Sequence, residues 1–151
     1  MKRRTFFNAC AVVVLTPWVG SCEQDNPQQL PIPLTWDRDV CTQCRMAISD
    51  RFHAAQVIAP QGKGHVFDDI GCALKWLKQS NFSGKERIWV SDVADGEWIE
   101  AKRANWRAGD ETPMGYGFGA SRQPLEPALS FDEVKRRLAQ LRTSHQKGHT
   151  S

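Results

Sequence analysis

The strongest constraint on the fold is a change of period in the middle of the sequence. Residues 54–59 and 65–67 are short apolar runs split by Gln61-Gly62-Lys63-Gly64, and they read as two strands around a turn. Asp68 and Asp69 follow. Ile70, Ala73, Leu74 and Leu77 then fall at i, i+3, i+4 and i+7, one face of a helix that an aspartate caps. The strand period returns in residues 87–92 and 98–101, which flank Ala94-Asp95-Gly96 and predict a second hairpin. Residues 106–114 read as irregular, and a Gly-rich extended stretch comes after them. Ser130 and Glu133 form a capping box for a second helix with Phe131, Val134, Leu138 and Leu141 on one side. The order strand, strand, helix occurs twice, a hint of duplication in element order rather than residue identity.

The N-terminus speaks to compartment. Lys2, Arg3 and Arg4 precede an apolar run that is too short and interrupted to span a bilayer, so residues 1–21 read as a signal peptide. Val19-Gly20-Ser21-Cys22 has the pattern of a lipoprotein cleavage site, with Cys22 as the lipid-bearing residue; the alternative is an ordinary signal peptide with Cys22 incidental. Arg3-Arg4 also resembles a twin-arginine export signal. The leader holds three of the 20 basic residues and none of the 17 acidic ones, so the rest of the chain is charge-balanced. That balance excludes the electrostatic footprint of a nucleic-acid binder. Residues 22–36, with Pro27, Pro31 and Pro33, suit a tether; residues 37–142 suit one compact domain; residues 143–151 read as a disordered tail.

Cys41-Thr42-Gln43-Cys44-Arg45-Met46 places two thiols and a thioether in one loop. Such soft donors favour Cu(I), whereas a structural zinc site wants four nitrogen or sulfur ligands. Cys44 and Met46 are the leading pair, with Cys41 beside them. A disulfide or redox pair of Cys41 and Cys44 competes with this reading, and an exported thiol-disulfide protein is the alternative function. Met114, in Thr112-Pro113-Met114-Gly115, can add a third sulfur from a rigid turn. His65 is a further ligand candidate, though a strand histidine is more often solvated or satisfied in place. Cys72 falls beside the apolar stripe of its helix and reads as a small buried hydrophobe. Asp68 and Asp69 read as caps rather than as an acid/base pair. No nucleophile, base and orienter set appears, and neither do the phosphate-binding glycine patterns, so the chain does not read as an enzyme.

Four segments together resemble the NosL family of copper-binding lipoproteins. They are the Cys41 to Met46 motif, Phe67-Asp68-Asp69-Ile70-Gly71-Cys72, Val90-Ser91-Asp92 with Gly96-Glu97-Trp98-Ile99, and Thr112-Pro113-Met114-Gly115. The resemblance implies an α+β fold of two small ββαβ-like units, similar to organomercurial lyase, without that activity. It implies a periplasmic, membrane-anchored metallochaperone carrying one Cu(I) on Cys44, Met46 and Met114. Its partners would be apo nitrous oxide reductase or the membrane maturation complex of that enzyme. Whether the anchor sits in the inner or outer membrane, and whether a homo- or heterodimer forms, stay open. Arg45 departs from the family, which usually has glycine there.

Overall fold

A computed structural model describes residues 29–82 and 84–147. The leader and Cys22 lie outside the described residues. The architecture is mixed α+β with two antiparallel sheets. Strands β1 (Ala55–Ile58) and β2 (Gly64–Phe67), helix α1 (Ile70–Leu77), and strands β3 (Arg87–Ser91) and β4 (Trp98–Glu100) come first. Strands β5 (Asn105–Ala108) and β6 (Phe118–Ser121) and helix α2 (Phe131–Lys147) complete the order. The run β1-β2-α1-β3 is a ββαβ-like unit.

The larger sheet has the order β2-β1-β3-β4. Its register puts Ala55, Phe67 and Val90 side by side on one face, and Val57 with His65 and Ile88 next to them. Side chains alternate across a sheet, so Gln56, Trp89 and Gly64 belong to the opposite face. Helix α1 covers the first face, where Trp76 packs on Phe67 at a ring separation of 5.5 Å. Asp69 starts that helix as expected, its carboxylate accepting from the Gly71 amide at 3.0 Å.

The second face is covered by a segment the sequence assigns to the tether. The Ile32 amide donates to Gln56 at 2.8 Å, and the Gln56 amide returns a bond to the Ile32 carbonyl at 2.9 Å. Gln29 donates to the Lys85 carbonyl at 2.8 Å, and the Trp89 indole donates to Gln29 at 2.9 Å. Ile32 lies so close over Gly64 that a Cβ there would stand 2.6 Å from it. Trp36 stacks on Trp98. The boundary expected at residue 36 therefore moves back, and residues 29–36 belong to the domain. Proline removes helix and ladder bonds, but the two glutamine side chains supply them instead, and Ile32, Leu34 and Trp36 are available to cover the sheet.

A second difference lies in residues 105–121. Read as irregular and extended, they form the β5-β6 pair, with Trp106 opposite Ala120 and Arg107 opposite Gly119. The second hairpin, β3-β4, joins the first sheet, so the later strand-strand-helix unit is β5-β6-α2. Trp106 stacks on Phe131 of α2 at 5.5 Å. Asp92 stitches the two sheets together. It is 2% exposed and accepts from the amides of Ala94 and Arg122 at 3.0 and 2.9 Å. Ser130 caps α2 through the Glu133 amide at 3.2 Å. That helix runs on to Lys147, past the expected tail boundary at residue 143, because an established helix adds residues at little cost.

Candidate metal centre

The loop that carries Cys41 and Cys44 is fastened by backbone bonds. Val40 pairs with Ala47 across it, the Cys41 amide donates to the Met46 carbonyl at 2.8 Å, and the Arg45 amide to the Cys41 carbonyl at 3.0 Å. Closing so tight a loop takes Arg45 to φ +69°, the left-handed region that favours glycine. This is the physical content of the Arg45 departure noted in the sequence: the backbone shape is kept and the arginine bears it. The Thr42 amide then donates to the Val66 carbonyl at 2.8 Å, tying the loop to β2. Since α1 begins just after β2, the same tie brings the loop to the first turn of α1, where Cys72 sits.

The sulfurs of Cys41, Cys44 and Cys72 consequently lie within 4.8 Å of one another. All three cysteines are free. A metal about 2.3 Å from each of three thiolates needs sulfurs about 4 Å apart, so only a slight contraction is required. Cys41 and Cys72 are 0% and 1% exposed, whereas Cys44 is only partly buried. The site has two sealed donors and one that meets solvent.

Electrostatics single out Cys41 as the first thiolate. The Cys72 thiol donates to it and outweighs the cost of burial, with the Cys44 and Asp68 amides adding to the effect, so its pKa is lowered to about 4. The Cys44 amide stands 3.4 Å from the Cys41 sulfur. Donating to Cys41 pushes Cys72 up, and burial adds to that; Cys44 is raised first by burial. The N-terminal turn of α1 also favours negative charge at this point. Asp68 feels the same crowding: burial, then the charges of Cys41, Asp69 and Asp50, lift its pKa to about 6.

The methionines stand differently. Met46 is 54% exposed, at the end of the cysteine loop. Met114 is partly buried against the core, on a turn closed by the Gly115 amide bonding the Thr112 carbonyl at 2.9 Å. That turn is held to the start of α1. The Asp69 carboxylate, 0% exposed, is pushed up by burial, and the nearby polar groups of Thr112, Gly71 and Met114 oppose the rise. Tyr116 covers Gly71 so closely that any side chain there would collide with its ring. Met114 is thus fixed beside the helix end that carries Cys72.

His65 packs at 4.3 Å against Trp76 and at 6.4 Å against Phe82, and burial, with the Lys63 charge, lowers its pKa. It is a member of an aromatic cluster, and the metal-competent group among the described residues contains cysteines alone. Cys72 is the residue that sequence reasoning assigned to packing. The odd count of Cys41, Cys44 and Cys72 was its signal: two thiols can pair, and the third needs another role.

A family model described as NosL matches residues 31–122, more than half of the chain and a span that includes every candidate ligand from Cys41 to Met114. Comparison with curated proteins returns no match.

Proposed function

Because the chain belongs to the NosL family of copper-binding accessory proteins, we propose that it is a Cu(I) metallochaperone. The observation that carries this reading is the meeting of three cysteine sulfurs, two sealed and one partly open. Soft thiolates select a soft monovalent ion, and a three-sulfur set leaves room for an incoming ligand to join before an old one leaves. Cys41 supplies a ready thiolate. Cys72 holds the ion from the helix side, and Cys44 with the exposed thioether of Met46 faces the receiver; Met114 offers a further sulfur from its fixed turn. In this reading Cys22 anchors the protein at the periplasmic face of a membrane, and the cargo goes to nitrous oxide reductase or its maturation complex. Anchoring raises the local concentration for a membrane-bound receiver.

The alternative, a dithiol redox protein using Cys41 and Cys44, draws on the closeness of the two sulfurs. The order of their properties argues against it. An attacking thiol must be both ionised and accessible, yet here the low-pKa sulfur is sealed and the accessible one is raised. Anaerobic Cu(I) titration against a competing chelator, on the wild type, Cys72→Ser and Met46→Ala, separates the readings. A copper carrier binds one ion tightly and weakens in both variants. A redox protein is indifferent to Met46→Ala and oxidises reversibly with no need of Cys72. For the anchor and client, Cys22→Ala exported at equal level is expected to mature nitrous oxide reductase less well; equal maturation would remove the anchoring step.

A further inference from the structure

The sulfur cluster is not the one place where the fold leaves room for a ligand. Helix α1, strand β3 and helix α2 do not close on one another, and a cavity of about 410 Å³ runs between them. Small-molecule pockets typically span ~300–1,000 Å³, so this is a ligand-sized space. Leu74 and Leu77 from α1, Ile88 from β3, and Phe131 and Leu138 from α2 make its wall apolar. None of the cysteines lines it.

The charged part of the lining is of nearly one sign. Lys75, Lys78, Lys102 and Lys135 line the cavity, against Glu86 alone. Lys135 pairs with Asp132 at 2.6 Å, while Lys75, Lys78 and Lys102 make no salt bridge among the described residues. Lysines in this setting lay their methylene stems on apolar surface and keep the ammonium heads in water. An apolar channel with a basic rim complements a molecule with an apolar body and an anionic end. A second hollow shares Tyr116 with the first, and there Phe118, Leu141 and Arg137 make the wall. Two hollows that share Tyr116 as a wall suit a chain long enough to run past that ring better than a compact ligand.

We infer that this cavity binds a long-chain fatty carboxylate, its tail between α1 and α2 and its head among Lys75, Lys78 and Lys102. The site is independent of the copper reading, since it shares no sulfur ligand with it. The test titrates the full-length chain with oleate and with the neutral oleyl alcohol, in the wild type, Lys75→Glu/Lys78→Glu and Ala139→Trp, the last placing an indole in the cavity wall. The expected result is saturable one-to-one oleate binding, about tenfold tighter than the alcohol, a difference of about 1.4 kcal/mol. The preference for the carboxylate disappears in the lysine variant and binding of both is lost in Ala139→Trp. Lys78 is exposed and Lys75 half-buried, so circular dichroism on the lysine variant verifies its fold and keeps the test valid even where the indole disturbs packing. Equal oleate binding in wild type and lysine variant, or no saturable binding, overturns the proposal.

Discussion

Cys41 and Cys72 are held differently from Met46 and Met114. Cys41 and Cys72 are sealed, one in a loop closed by three backbone pairings and the other in the first turn of a capped helix. Met46 stands half exposed, and Met114 rides on a turn that lies beside the start of α1, where Tyr116 covers Gly71. The contrast teaches a division of work under the proposed function: rigid inner thiols set which ion is held, and outer thioethers set how readily it leaves.

Cys44→Ala gives the largest expected effect on this contrast. Loss of a direct ligand lowers Cu(I) affinity by more than about 100-fold, beyond the 10–100-fold typical of residues that only support ligands. A competition titration reads it. Met46→Ala is expected to lower affinity by about tenfold while changing the rate of transfer to a chelator more strongly, as stopped-flow exchange would show. If affinity falls as far as in Cys44→Ala, the methionine belongs with the inner set and the contrast breaks.

Asp69→Ala tests the support of the outer set. It removes the helix cap beside which the Met114 turn lies, with an expected loss of about 0.5–2 kcal/mol in denaturant unfolding. Acid sharpens the comparison of the two sheets that Asp92 joins. Burial pushes the Asp92 carboxyl up, but the Arg122 and Ala94 amides, the Ser121 hydroxyl and the Arg122 charge hold it below the ordinary range. A depressed folded value means that its stabilisation is complete above the unfolded value near 3.9 and is lost as pH falls through the folded value. Asp92→Asn is therefore expected to lower stability at pH 7 and to flatten the decline below pH 4, measured by thermal unfolding. The smallest effect is expected from Arg45→Gly, which relieves the left-handed backbone and raises stability by roughly 1 kcal/mol with copper affinity unchanged.

The sequence reading reached the elements whose determinants are local. Both early hairpins carry their turn residues within four positions, and Asp69 and Ser130 sit where a helix cap must be, so these elements were legible. The β5-β6 pair was not, because its strands are separated by a turn-rich stretch and Gly109, Gly115, Gly117 and Gly119 mask the alternation. The cover of residues 29–36 was hidden by proline, although Ile32, Leu34 and Trp36 alternate as a buried edge would. At the metal centre, Cys41 and Cys44 announce themselves by spacing. Cys72 does not, since a tertiary bond, from Thr42 to Val66, helps bring its helix to the loop, and its helical neighbours make it look like core.

Under the proposed function, Cys41, Cys44 and Cys72 share one copper ion. X-ray absorption at the copper edge, on Cu(I)-loaded wild type and Cys72→Ser, tests it most directly. The sulfur shell of the wild type is expected to lose one scatterer in the variant and to gain a lighter one or none. An unchanged sulfur shell in Cys72→Ser would contradict it.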